Sequence, residues 1–252
     1  MSPQVLNLRG SLARGVQSRP GALSALAVTG GVMALPTDGP VRFGRNRPSV
    51  DVCVGEDDLR VSRQHGLLTH QGGQWWVANT GQTPIRLPNS LMLHKEGDPV
   101  PLATGYTPLF LRGSASREHL LELYVADADG GQPPLLHGAV TQPPQRWRLS
   151  DQERLVLVVV GQRYLLHEAH PQPLARQRAA DQLMELEPAE KWTAKKVEHI
   201  VADVRDRLSR GGVFGLRREE LDEPVGNALN ENLFKELVTS TTLVPPDLEL
   251  LD

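Results

Sequence analysis

The sequence predicts an α+β chain in two parts: an all-β N-terminal half, built as a sandwich or barrel, and a mainly α-helical C-terminal half. Three observations predict this. From residue 21 to about 126, apolar runs of four to eight residues alternate with Gly, Pro, Asn and Asp, and no segment holds a helical period. From residue 149 onward, apolar residues recur at helical spacing behind capping residues. Between the two, "ADADGGQPPLLHGAVTQPPQRW" carries Gly130-Gly131 and two Pro-Pro pairs, the composition of a linker or a long docked connection. The expected organisation is an N-terminal extension (1–20), a β-sandwich (21–126), a linker (127–148) and a helical domain (149–252).

The elements follow in order. "ALSALAV" and "GVMALP" read as two strands joined at Thr29-Gly30-Gly31. The basic stretch before them, with Arg9, Arg14 and Arg19, gives the basic-then-apolar order of a secretory signal. "TGGV" interrupts that apolar run, however, and the sandwich needs it for its first strands. "VDVCV", "QWWVAN", "PIRLP", "TPLFLRG" and "HLLELYV" complete the strand set. In the second half, Ser150 with Glu153 three residues on forms a capping box, which makes "VLVVV" part of a helix rather than a strand. Leu174, Ala179, Leu183 and Leu186 mark one face of a second helix. Thr193 caps a third, whose stripe is Val197, Ile200, Val201, Val204 and Leu208, and Gly211 or Gly212 ends it. Leu229, Leu233 and Leu237 mark a fourth. The final "TSTTLVPPDLELLD" is expected to dock its leucines onto the domain.

Bulk properties limit the function. At 39% hydrophobic and 23% charged residues the composition is that of a soluble globular protein, and a net charge of −3 supplies no global field for nucleic acid or an acidic membrane. Anion binding must therefore come from a local patch. A single cysteine, Cys53, excludes an internal disulfide and fits a reducing, cytoplasmic compartment. It sits in a strand-like run, as a small buried residue rather than a reactive thiol. No metal or cofactor is implied: eight histidines lack ligand spacing and one cysteine makes no thiolate site.

Chemistry concentrates in "FGRNRPSVDVCVGEDDLRVSRQHG", residues 43–66. A catalytic reading of Ser62 with His65 lacks an orienting acid, an oxyanion hole and a nucleophile elbow. An anion-binding reading fits better. Gly44 frees the backbone at a strand end, the planar guanidinium of Arg45 can hold two phosphate oxygens, Ser62 adds a hydroxyl donor and Arg63 a second cation. His65, followed by Gly66, braces the loop through its ring. The acidic "GEDD" upstream opposes a polyanion and favours a single phosphate. An ordinary polar loop is the remaining reading.

Phe43-Gly44-Arg45 followed by Ser62-Arg63-Gln64-His65, in an all-β unit, resembles a forkhead-associated (FHA) domain over roughly residues 21–126. The resemblance implies an eleven-stranded sandwich that recognises phosphothreonine peptides through loops at one end. Arg45 and Ser62 would bind phosphate, Arg63 would assist, and His65 would fix the loop. The family usually continues Asp-x-x-Ser-x-Asn-Gly-Thr, whose asparagine holds the peptide backbone. Here Asn79 stands at the Asp position, Gln82 at the Ser position and Pro84 at the Asn position. The clamp is missing or supplied by another residue, Asn79, Gln82 or Asn89.

The helical half looks loosely like a helix-turn-helix or winged-helix arrangement. In that case Lys195 and Lys196, near the start of the third helix, would contact DNA. The face also carries Glu198, Asp203 and Asp206, which is the look of a solvated surface. Thr239, Thr241 and Thr242 are candidate phosphoacceptors for the chain's own FHA module. The expectation is a non-enzymatic, phosphothreonine-dependent adaptor for a partner phosphorylated by a Ser/Thr kinase. Its alternatives are a DNA-binding regulator or an FHA interaction module without phosphate dependence.

Overall fold

Period-two burial organises the first half of the chain. In the computed structural model, which describes residues 3–6, 10–115, 117–127, 146–222 and 225–252 (the side chains of Leu6 and Asn89 excepted), the chain divides into units 1–144 and 145–252. Residues 128–145, most of the expected linker, lie outside the described residues.

The first unit holds β1 (Gln4–Leu6), β2 (Leu23–Ala27), β3 (Gly30–Ala34), β4 (Val41–Gly44), β5 (Val52–Cys53) and β6 (Gly66–Gln71). It continues with β7 (Gln74–Asn79), β8 (Ile85–Arg86), β9 (Met92–Leu93), β10 (Val100–Pro101), β11 (Gly105–Arg112) and β12 (Glu118–Val125). A seven-stranded sheet runs β1-β3-β2-β12-β11-β8-β9 and a five-stranded sheet runs β10-β7-β6-β4-β5. Every pairing is antiparallel except β4 with β5. Alternate residues enter the space between the sheets: Leu68, Trp75 and Val77 from one, and Ala25, Leu109, Leu121 and Leu123 from the other.

The β2–β3 hairpin pairs Ala27 with Gly30, so its two-residue turn is Val28-Thr29, one step before the expected tripeptide, and Gly30 begins the next strand. The sheet also begins before residue 21. Gln4–Leu6 pair with β3, and Leu12 packs with Leu26, Tyr106 and Tyr124 on the outer face of the seven-stranded sheet. Ser11 fixes this cover by donating to the buried Glu122 carboxylate at 2.5 Å. Both faces of β2 and β12 are thereby covered, which is why every residue of β2 is buried.

The second unit contains α1 (Asp151–Leu165), α2 (Arg176–Leu186), α3 (Ala194–Arg210), α4 (Ala228–Thr239) and a terminal 3₁₀ helix, Pro245–Leu251. The Ser150–Glu153 capping box closes on both sides, Glu153 N to Ser150 Oγ at 3.2 Å and Ser150 N to Glu153 Oε2 at 2.8 Å. Leu155 to Val160 are all buried, so α1 is the central helix, in contact with the other three and the terminal segment. Leu243 and Val244 are fully buried and Leu248 and Leu251 pack on the core, while Leu250 faces out. Thr241 and Thr242 are buried, and Thr242 Oγ1 accepts from Trp147 N at 2.9 Å. The proposed use of these two threonines as phosphoacceptors is therefore corrected: in the folded chain they are packing and anchoring groups. No helix among the described residues is long and apolar enough to cross a membrane.

Candidate anion-binding site

The site assembles where three loops meet by their backbones. Arg45 N donates to Ser62 O at 3.1 Å, Asn46 N to Arg63 O at 3.2 Å, and His65 N to Phe43 O at 2.8 Å. These bonds place the Arg45 loop against the Ser62–His65 step. Only glycine fits at position 44, because a Cβ there would lie 2.6 Å from Arg63 O and 2.8 Å from Ser62 O. Gly66 lies beneath the Phe43 ring, which a Cβ would strike at 2.1 Å.

His65 ties in the third loop. Its ring is fully buried, its Nδ1 accepts from Ser62 N at 3.1 Å, and its Nε2 meets Thr83 O at 2.9 Å. An acceptor at Nδ1 and a donor at Nε2 define one neutral tautomer. Burial lowers the ring's proton affinity below the ordinary histidine value, against the pull of Thr83 O. Thr80 N and Gly81 N both donate to His65 O, at 3.0 and 2.9 Å. The imidazole thus joins residues 62 and 83 across the core end of the loops.

Ser62 Oγ accepts from Gln82 N at 3.0 Å. Its hydroxyl hydrogen has no acceptor among the described residues and is available to donate. Arg45 is half-buried and its guanidinium makes no ion pair or hydrogen bond among the described residues; Nε is shielded from water with no acceptor. Arg63 is exposed and its side chain also has no partner among the described residues. The nearby acids are engaged elsewhere: Glu56 with Arg47 at 2.7 Å, and Asp57 with Arg117 at 2.9 Å. What remains is a hydroxyl donor and two uncompensated guanidiniums on adjoining loops. Among the described residues no His/Cys/Asp/Glu group is arranged to hold a metal.

The peptide-contact candidates divide. Asn79 follows Trp75 and Val77 on the inward face of β7 and is buried. Its Nδ2 donates to Thr83 O at 3.0 Å and Leu93 O at 2.8 Å, while its Oδ1 accepts from Gly81 N at 2.8 Å. With its amide spent inside the fold, Asn79 shapes the loop and is not a ligand clamp. The alternation of "QWWVAN" carried that signal. Gln82 is exposed beside Ser62. The side chain of Asn89 lies outside the described residues. Cys53 is buried, with Sγ 3.5 Å from Arg45 O, and burial raises its thiol above the usual range.

The two lysines of α3 differ as well. Lys196 Nζ pairs with Glu190 at 2.9 Å and stands 4.1 Å over the Trp192 ring, so its charge is used within the helical unit; Lys195 is exposed. Arg207 of the same helix is held by Glu153 at 2.7 Å. The basic side chains of this face are thus interleaved with acids, two of them in ion pairs within the helical unit.

The family model for the FHA domain matches residues 41–107. Among solved structures, the chain is similar to FHA-1 of Mycobacterium tuberculosis Rv1747, at 19% identity and TM-score 0.34, covering 42% of this chain and 98% of that one. It is also similar to the N-terminal FHA domain of S. cerevisiae Rad53p, solved with a phosphothreonine peptide, at 18% identity and TM-score 0.36, covering 43% and 97%. No curated protein matches the chain. Residues 41–107 span both halves of the site, from β4 and Arg45 through Ser62 and His65 to Gln82, so the stretch that matches the FHA domain model is the stretch that builds the site.

Proposed function

We propose that the N-terminal unit is a binding module, not an enzyme, that captures a phosphothreonine-bearing segment of a partner protein. The partner is the product of a Ser/Thr kinase, and the chain acts as an adaptor in the cytoplasm. Arg45 and Ser62 hold the phosphate, Arg63 adds charge from the rim, and Gln82 contacts the peptide where Pro84 offers no side-chain amide. One observation carries the reading: the Arg45 guanidinium lacks any acceptor among the described residues although it is half-buried. A buried donor without a partner is disfavoured by about 1–3 kcal/mol, and an arriving phosphate removes that deficit.

Hydrogen bonds to charged groups contribute about 1.5–3 kcal/mol each, so losing two, about 3–6 kcal/mol, weakens binding by roughly 10²- to 10⁴-fold. The test is a phosphothreonine peptide array on the wild type and Arg45→Ala. The expected result is a set of hits that disappear in the variant and after phosphatase treatment. Hits that survive both treatments would identify instead an FHA surface used without phosphate.

A further inference from the structure

Asp58 belongs to the acidic loop four residues before Ser62, yet it faces inward and is 1% exposed. Its carboxylate accepts from Ser114 N at 2.9 and 3.1 Å, from Ser114 Oγ at 3.2 Å, from Arg60 N at 3.0 Å and from His119 Nε2 at 3.0 Å. Arg117 stands 3.6 Å away. The carboxylate therefore fastens the loop ahead of Ser62 to the β11–β12 turn, which belongs to the opposite sheet. The seat is shaped for it, since a Cβ on Gly113 would come within 2.2 Å of Asp58 Oδ2. From Asp58 the chain closes a turn, Val61 N to Asp58 O at 3.1 Å, buries Val61 completely, and emerges at Ser62.

We propose that Asp58 is a positioning residue of the phosphate site. Ser62 is held from the downstream side by His65 and from the upstream side by the Asp58 seat, so its hydroxyl keeps one direction and its Gln82 bond. The same seat withdraws a carboxylate from the rim, as Arg117 and Arg47 withdraw Asp57 and Glu56. No acid of this loop then competes with phosphate for Arg45 or Arg63. The inference rests on the phosphate-binding reading above and names a residue that never touches the ligand.

The test uses the full chain with Asp58→Asn, which keeps shape and loses charge, and Ser114→Ala, which removes one donor. Two readouts are taken: the NMR signal of the Gln82 amide, which donates to Ser62 Oγ, and affinity for a phosphothreonine peptide beside its unphosphorylated twin. Asp58→Asn is expected to shift the Gln82 amide and to lower phosphopeptide affinity about tenfold, the equivalent of one hydrogen bond. Ser114→Ala is expected to act in the same direction and less strongly. Arg45→Ala should abolish binding and leave the Gln82 amide in place. A drop in melting temperature with the Gln82 signal unmoved in both variants overturns the proposal and makes Asp58 purely structural. Wild-type affinity in Asp58→Asn does the same. A wild type that ignores phosphopeptides defeats the functional reading instead, and the Gln82 signal alone then decides the positioning role.

Discussion

Replacing His65 with alanine removes a side chain that bonds to two of the site's loops at once. Three losses can be worked from the structure. Ser62 N, which donates to Nδ1 at 3.1 Å, is left without its acceptor beneath the loop, at about 1–3 kcal/mol. Thr83 O loses Nε2 but keeps Asn79 Nδ2 at 3.0 Å, so that term is an ordinary bond of about 0.5–1.5 kcal/mol. The emptied space beside Gly81, which the ring now fills, adds about 1 kcal/mol or more. The sum is about 3–5 kcal/mol, a fall of roughly 6–20 °C in melting temperature for a unit of this size. Thermal and urea unfolding followed by tryptophan fluorescence measure it, with Arg63→Ala as an exposed control expected to change stability by less than about 0.5 kcal/mol. A loss below about 1 kcal/mol in His65→Ala would refute the view that the imidazole fastens these loops.

Acid should weaken the first unit in two stages. Burial, chiefly, lowers the proton affinity of His65 and His119, so the unfolded chain takes up protons that the folded chain refuses. Stability is therefore complete above roughly pH 6.5 and declines below it, by up to about 1.4 kcal/mol per pH unit for each ring. The slope should shrink in His65→Ala when unfolding is titrated between pH 7 and 4. Burial alone would raise the Asp58 carboxyl, but the bonds from His119, Ser114 and Arg60 outweigh it and hold it at about 2. Its contribution is present above the ordinary carboxylate value and disappears as pH falls towards 2, a stage that Asp58→Asn should remove. In the helical unit, a Cβ at Gly161 would meet the Phe234 ring at 2.4 Å. Gly161→Ala should then cost about 1–3 kcal/mol through overpacking, read as a lower urea midpoint; an unchanged midpoint would show that Phe234 has room to move.

What was legible in the sequence was local. "QWWVAN" matches β7 residue for residue because its two-residue period lies within one strand, and the Ser150–Glu153 box marks the start of α1 because both partners lie within one turn. Strand β6 was missed since "GLLTHQ" alternates only weakly, its Thr69, His70 and Gln71 offering little contrast. Strand β1 is three residues long and exists through its pairing with β3, which no local pattern announces. The same divide runs through the site. Gly44, Arg45, Ser62 and His65 stand in one short stretch. The Asp58 network joins positions 58, 114 and 119, and its separation along the chain hid it. "GEDD" reads as an acidic stretch that opposes a polyanion, whereas its Asp58 is a core residue.

The stitching of the three loops has a consequence for how the site can be altered. Its fasteners are main-chain amides, the side chains of Ser62, His65 and Asn79, and close-packed glycines, so the outward side chains at Arg60 and Gln82 carry none of the side-chain fastening and both are exposed. A library randomised at those positions should yield folded members almost throughout, with sequence preference varying from clone to clone on an unvarying chassis.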